Sequence, residues 1–162
     1  TKEDTYALVE RMRQEVPGIC LRTTMMVGFP GETDEDFRAT MDILKSVRFD
    51  MVFSFNYSPR EGTRAAKMES KVSDEVKKVR MAELLAVQCE ISKEKNEALV
   101  GKAERVIVDG CENKDGEILY FGRTAGNKLV HFTADKDYTG QFVKVKIKRA
   151  GAFDLFAEIE RE

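Results

Sequence analysis

The chain has 162 residues, 42% hydrophobic and 35% charged, enough to build the apolar core of one ordinary domain or two small ones. Its 27 basic and 29 acidic residues give a formal net charge of −2, which excludes a polycation that binds nucleic acid through its overall field. No run approaches the roughly 18 apolar residues of a membrane span. We therefore expect a cytoplasmic protein that does not act at a membrane.

The cysteine and histidine content limits the chemistry of the chain. Cys20, Cys89 and Cys111 stand singly, so neither a disulfide framework nor a Cys-x-x-Cys metal spacing is present. His131 is the one histidine, which excludes a His-rich metal site. We therefore predict no catalytic residue and no metal ligand within this sequence.

The first segment alternates helical and strand patterns. Apolar residues at helical spacing predict a helix over residues 1–15, ended by Pro17-Gly18: Leu8, Val9, Met12 and Val16. Residues 19–27 read as a strand. Its apolar end, Met25 to Val27, is typical of a parallel strand covered on both faces.

A second helix and a second strand follow. Thr33 and Asp36 match a capping box with Asp in place of Glu, and a strand is predicted over residues 51–57. The order helix, strand, helix, strand predicts right-handed crossovers and a parallel sheet. Two strands cannot complete such a sheet, so we expect the end of a larger α/β domain. Its exposed sheet edges favour dimerisation or strand exchange.

A loop over residues 58–70 leads to a long helix. Ser73-Asp74-Glu75 is a plausible N-cap with an acidic first turn, and we expect the helix to run as a connector to about Leu99. Gly101 ends it.

Beyond Gly101 the pattern changes to short strands. Five are predicted, over residues 104–108, 118–122, 128–132, 142–147 and 153–159. The predicted turns are Asp109-Gly110, Asp115-Gly116, Ala125-Gly126-Asn127, Thr139-Gly140 and Ala150-Gly151. Five short strands in this space predict a small β-barrel or sandwich.

Two strand ends in the α/β segment are candidates for a ligand site. Residues 28–33 form a glycine-containing strand-to-helix turn whose amides either face an anion or simply make a tight turn. In the second strand, alternation places Phe53, Phe55 and Tyr57 on one side. These aromatics are either core, or with Arg60 part of a ligand mouth.

Strict alternation over residues 142–149 gives the strongest binding pattern. It sends Val143, Val145 and Ile147 to one face and Lys144, Lys146 and Lys148 to the other, with the lysines about 7 Å apart. Such a row, with Arg149 beside it, can neutralise RNA phosphates without reading sequence. The alternative is a solvated face whose lysines protect a sheet edge.

A predicted hairpin carries a second polar cluster. Its candidates for RNA contact are Arg123, Asn127, Lys128 and His131. Phe121 and Phe132 lie nearby as stacking surfaces, or alternatively as core residues.

Several segments together resemble a known family. The motifs are VGFPGETDEDF at residues 27–37, RFD at 48–50, YSPREGT at 57–63, EIS at 90–92, GRT at 122–124 and GQFV at 140–143. The first three resemble late strands of the radical S-adenosylmethionine domain of the MiaB-like tRNA methylthiotransferases. The fourth resembles that family's connector helix, and the last two its C-terminal TRAM module. The sequence departs from the pattern Thr-Asp-x-x-Val-Gly-Phe of many tRNA-modifying members, because it has no Asp three residues before Val27.

The resemblance implies a C-terminal fragment with three parts. Residues 1–72 would end a radical S-adenosylmethionine α/β barrel, 73–99 would be the connector helix, and 100–162 a five-stranded, OB-like TRAM barrel. The parent would use S-adenosylmethionine and two iron–sulfur clusters, none of which we expect on this fragment. Met26, Gly28, Tyr57 and Arg60 would lie on the cofactor or substrate side of the barrel.

The implied activity is methylthiolation of an adenosine beside the tRNA anticodon. The partners would be the tRNA anticodon arm and the missing N-terminal domains of the same enzyme. Two alternatives remain, a methylthiotransferase for an aspartate of a ribosomal protein and a stand-alone RNA-binding adaptor without catalysis. A cysteine triplet upstream would favour an enzyme, and a natural start codon would favour the adaptor.

Overall fold

The computed structural model describes residues 2–114 and 117–160, and for residue 114 it describes the backbone alone. Its elements are α1 Lys2–Glu15, β1 Arg22–Val27, α2 Asp34–Val47, β2 Met51–Asn56, a 3₁₀ turn at Ala65–Lys67, α3 Asp74–Glu97, β3 Ala103–Lys114, β4 Glu117–Thr124, β5 Leu129–Thr133, β6 Phe142–Ala150 and β7 Asp154–Ile159. The chain divides into a first compact unit that ends at Ile91 and a second that begins at Ser92. None of the described helices is long and apolar enough to cross a membrane.

The first unit is built on two parallel strands. β1 and β2 pair in register from Arg22 opposite Met51 to Val27 opposite Asn56, which confirms the predicted parallel sheet. β1 begins at Arg22 rather than at residue 19. The fully buried side chains of Val27, Leu44 and Leu84 join β1, α2 and α3 in one core.

The N-terminus of α2 carries the predicted capping box. The Asp36 backbone N–H donates to Thr33 Oγ1 at 3.1 Å, and the Thr33 backbone N–H donates back to the Asp36 carboxylate at 3.0 Å. The Thr33 hydroxyl also donates to the Asp36 carboxylate, at 2.9 Å, and the bonds from the Thr33 backbone N–H and hydroxyl lower the pKa of Asp36. Asp can therefore replace the usual Glu, because the cap needs only one oxygen at this reach.

The described residues cover one face of the sheet only, which corrects two expectations. Met26, Phe53 and Phe55 are 49%, 47% and 53% exposed, so β1 is not covered on both faces in this chain. The reading of Phe53 and Phe55 as core residues is also wrong. Alternation turns these side chains to the face opposite Val27 and the helices.

The second unit is a closed five-stranded barrel, which decides between the barrel and the sandwich predicted by the strand pattern and confirms the barrel that the resemblance implies. The strand order is β3-β4-β5-β7-β6, and β3 closes the ring by pairing with both β4 and β6. β5 and β7 pair in parallel, and the other neighbours pair antiparallel. The most deeply buried core residues are Val106, Val130, Val145, Ile147 and Leu155.

The turn prediction at Asp109-Gly110 is wrong. These residues lie inside β3 at a bulge, where the pairing register with β4 shifts between Val108 and Gly110. The strand continues to Lys114 because β4 pairs with it on both sides of the bulge. The predicted turn at residues 115–116 lies outside the described residues.

The hairpin turn between β4 and β5 is confirmed. Asn127 adopts a left-handed conformation at φ 59°, and its N–H donates to the Thr124 carbonyl at 2.8 Å. Asn tolerates this conformation better than most residues.

Gly122 lies at a position of the barrel with no room for a side chain, which yields a stability prediction. An added Cβ would come within 2.7 Å of Val106 Cγ1 and nearer still to the Ile107 carbonyl oxygen. We expect Gly122→Ala to lower the free energy of unfolding by about 1–3 kcal/mol, measured by denaturant unfolding.

Gly110→Ala is the matched control. Its added Cβ would meet only the far end of the Phe121 ring, at 3.3 Å, so the stability should change less. Equal losses in the two variants would contradict the packing argument.

Candidate functional site

The turn after β1 is held by a carboxylate. Gly28 adopts φ 75°, and its N–H and that of Phe29 both donate to the Glu32 carboxylate, the second at 3.1 Å. An external anion would have to displace Glu32 from these amides. The contacts therefore favour the tight-turn interpretation over an anion site.

A buried arginine ties this turn to α3. Arg80 is 6% exposed and pairs with Glu32 at 3.1 Å and with Asp34 at 2.7 Å. Its guanidinium carbon also lies 5.5 Å from the centre of the Phe37 ring. Arg80 positions the loop that follows β1. Sequence reasoning missed it, because its acidic partners lie 48 and 46 residues away in the chain.

A cavity of about 360 Å³ lies beside the ends of β1 and β2. Gly28 and Tyr57 line it together with the side chain of Lys77. The Tyr57 ring packs edge-on against Phe29, with centroids 5.3 Å apart. Its hydroxyl oxygen is buried and has no hydrogen-bond partner among the described residues.

The structure thus brings together two of the four residues predicted on the cofactor side. Gly28 and Tyr57 share the cavity, whereas Met26 and Arg60 are not among its lining residues. Met26 lies on the exposed face of the sheet, and Arg60 is exposed in the loop after β2.

The predicted lysine row lies on the outside of the barrel. Val143, Val145 and Ile147 point into the core, while Lys144, Lys146 and Lys148 are exposed. β6 lies between β3 and β7 in the closed barrel. The edge-protection alternative is therefore wrong, because β6 is not an edge strand.

Acidic side chains of β7 and the residue after it partly neutralise this row. Lys144 pairs with Glu160 at 2.8 Å, and Lys148 pairs with Glu158 at 2.7 Å. The hydrogen bond from Lys144 lowers the pKa of the Glu160 carboxyl, so Glu160 remains charged at neutral pH. The outer face of β6 and β7 therefore alternates in sign.

The other predicted RNA contacts around the hairpin have local partners. Arg123 lies 3.6 Å from Asp109, and the Lys128 ammonium donates to Asn96 Oδ1 at 2.6 Å. Asn96 is 3% exposed and donates in turn to the carbonyls of Gly151 and Ala152. Lys128 and Asn96 thus support the start of the second unit, a role that sequence reasoning missed.

The two phenylalanines near the hairpin differ in position. Phe132 is 2% exposed and stacks on Tyr120 inside the barrel, so its reading as a stacking surface is wrong. Phe121 lies opposite His131 on the outer face. Among residues 2–114 and 117–160, no three His, Cys, Asp or Glu side chains group as metal ligands.

Residues 100–159, which contain the whole barrel, match the TRAM domain family. The chain is 47% identical over 161 residues to the tRNA-2-methylthio-N(6)-dimethylallyladenosine synthase of Acetivibrio thermocellus, covering 99% of this chain and 33% of that protein. The protein of the same name from Natranaerobius thermophilus is 42% identical over 159 residues, covering 98% of this chain and 35% of that protein. The ribosomal protein uS12 methylthiotransferase RimO of Phocaeicola vulgatus is 47% identical over 167 residues, covering 98% and 38%.

The chain corresponds to part of a MiaB/RimO-like methylthiotransferase and carries a TRAM domain. It spans about a third of the length of these relatives. The cavity at Gly28 and Tyr57 belongs to the α/β unit, and the lysine row belongs to the TRAM barrel.

The Arg80 cluster yields a second prediction. Arg80→Leu leaves Glu32, whose side chain is only 11% exposed, without its cation, so we expect a loss of about 3 kcal/mol in the free energy of unfolding. Arg11→Leu is the control, because Arg11 and Glu15 form an exposed pair at 2.7 Å whose loss should cost under about 1 kcal/mol. Denaturant unfolding of both variants measures the difference, and similar losses would contradict the role given to Arg80.

The Tyr57 hydroxyl yields a third prediction. Since it is buried without a partner, Tyr57→Phe should keep or raise the free energy of unfolding, by up to about 1 kcal/mol. Tyr57→Ala, which also removes the ring packed on Phe29, should lower it. A clear drop in the melting temperature of Tyr57→Phe would show that the hydroxyl has a structural partner.

Proposed function

We propose that this chain is part of a tRNA-modifying enzyme that adds a methylthio group to an adenosine beside the anticodon, and that its TRAM barrel binds the anticodon arm. The supporting observation is the closed barrel at residues matched by the TRAM family, with cations along its outer face. The names of two similar proteins, both tRNA-2-methylthio-N(6)-dimethylallyladenosine synthases, support the substrate.

The cations of the barrel would bind the RNA backbone. Lys144, Lys146 and Lys148 are spaced along one strand, and their ammonium groups can approach successive phosphates. Because Glu158 and Glu160 compete for two of them, the affinity should be modest and strongly dependent on salt. This arrangement suits a domain that holds a substrate while another part of the enzyme acts on it.

The α/β unit would form part of the S-adenosylmethionine or substrate side of the parent enzyme. The buried Tyr57 hydroxyl, without a protein partner and beside a cavity next to Gly28, fits a hydrogen bond to a polar group of such a ligand. When bound in the parent, S-adenosylmethionine supplies the radical chemistry of this family. Met26 and Arg60 remain predicted contacts on the same side.

Unlike S-adenosylmethionine, the iron–sulfur clusters find no suitable ligands among the cysteines of this chain. Cys20, Cys89 and Cys111 do not provide the closely spaced thiolates that hold such a cluster. The two clusters would therefore be bound by other parts of the parent enzyme.

A second candidate function is modification of a ribosomal protein. It is favoured by the 47% identity to a ribosomal protein uS12 methylthiotransferase, as high as that to the first tRNA-modifying relative. Assaying the full-length parent on tRNA and on the ribosomal protein separates the two. Methylthiolation of the ribosomal protein alone would overturn the proposed substrate.

The lysine row yields a fourth prediction, measured as binding of the full chain to an anticodon stem-loop RNA at several salt concentrations. Changing Lys144, Lys146 and Lys148 together to Glu should abolish the salt-dependent part of the affinity, because each lost phosphate contact lowers the salt slope by about 0.7. Wild-type affinity in the triple variant would remove the row from the binding site.

The double variant Glu158→Gln with Glu160→Gln is the opposite control. It frees Lys144 and Lys148 from their ion pairs, so it should raise the affinity and steepen the salt dependence. A fall in affinity would contradict the competition proposed between RNA and these carboxylates.

A further inference from the structure

The strand register aligns four residues in a band around the outside of the barrel. Phe121 of β4 lies opposite His131 of β5, which lies opposite Phe156 of β7. Phe156 lies in turn opposite Arg149 of β6. We call Phe121, His131, Phe156 and Arg149 the outer band. Three of them are flat aromatic rings, and the fourth carries a flat guanidinium group.

Three members of the outer band, His131, Phe156 and Arg149, stack on one another. The rings of His131 and Phe156 are 5.5 Å apart and inclined by 27°. The guanidinium carbon of Arg149 lies 3.7 Å from the centre of the Phe156 ring. His131 and Phe156 are half-buried, whereas Arg149 is exposed. Phe156 therefore orders a cationic plane at the surface of the barrel.

The polar contacts of the outer band leave the Arg149 guanidinium available to bind a ligand. Within the part of the chain that the structure describes, no salt bridge engages Arg149, in contrast to Lys144 and Lys148. His131 Nδ1 is buried without a hydrogen-bond partner there, and its Nε2 lies 3.8 Å from Asp154. Stacking on Phe156, rather than hydrogen bonding through Nδ1, thus orients the imidazole.

We propose that the outer band is a stacking platform for unpaired RNA bases, with the Arg149 guanidinium as its outermost plane. This inference rests on the proposed RNA-binding function and specifies how the barrel recognises its ligand. Unpaired bases stack on aromatic rings and on arginine planes, and such contacts tolerate any base. A guanidinium already ordered on Phe156 loses little further freedom when a base stacks on it.

Stacking and phosphate binding have different dependences on salt. Backbone neutralisation changes the slope of affinity against salt concentration, whereas stacking on a base releases no counterions. Because Glu158 and Glu160 reduce the net charge of the lysine row, base stacking would supply the part of the affinity that persists at high salt.

The test compares two RNA hairpins on the full chain. One is an anticodon stem-loop carrying 2-aminopurine among its unpaired bases, and the other has abasic residues in place of those bases. Arg149→Lys keeps the charge but removes the plane. It should weaken binding of the first hairpin by about fivefold or more, with an unchanged salt slope. Binding of the abasic hairpin should be unaffected, and 2-aminopurine fluorescence should be quenched by the wild type but not by Arg149→Lys.

Arg105→Lys is the matched control. Arg105 also lies over an outer aromatic ring, that of Phe142 at 4.0 Å, but outside the outer band. It should leave the affinity for both hairpins unchanged. Phe156→Leu gives a second readout that keeps an apolar side chain beneath Arg149, and it should show the same selective loss for the hairpin with bases.

Three outcomes would overturn the inference. Equal wild-type affinity for both hairpins, or equal losses in Arg149→Lys and Arg105→Lys, would exclude a platform at the outer band while RNA binding itself stands. Failure of the wild-type chain to bind either hairpin would overturn the proposed RNA-binding function as well.

Discussion

Closure of the five-stranded barrel is the constraint on which the second unit depends. Because β3 pairs with both β4 and β6, the ring has no free edge, and every strand contributes alternate residues to one enclosed core. The buried valines of β6 require its lysines to point outward. The same closure brings β7 between β5 and β6, which places Phe156 between His131 and Arg149.

The outer surface of the barrel carries two kinds of group, the lysine row proposed to bind phosphates and the outer band proposed to stack on bases. Ion pairs of the β6 lysines with Glu158 and Glu160 lower the positive electrostatic potential of this surface. The formal net charge of the whole chain is likewise low, at −2. A surface of this kind does not attract nucleic acid from a distance as a polycation does. Under the proposed function, it would suit ligands that offer phosphates and exposed base planes together, as a folded RNA loop does.

Features that depend on neighbouring residues could be predicted from the sequence. The capping box of Thr33 and Asp36 and the alternation along β6 are examples, since both follow from spacing within one element. Pairings between distant segments could not. Arg80 meets Glu32 across 48 residues, and the parallel pairing of β5 with β7 creates the outer band. The domain limits after residues 72 and 99, the site residues and dimerisation through exposed sheet edges stay predictions.

The irregularity in β6 sets how this strand can vary in length. The register shifts between Ile147 and Arg149, so Lys148 is an extra residue and both it and Arg149 face solvent. Deleting Lys148 would restore a regular ladder with Arg149 still opposite Phe156. Deleting one residue earlier in β6 would exchange its inward-facing and outward-facing side chains. Lysines would then lie in the core. The barrel can therefore accommodate a change in the length of β6 at Lys148, whereas the same change a few residues earlier would disrupt its core.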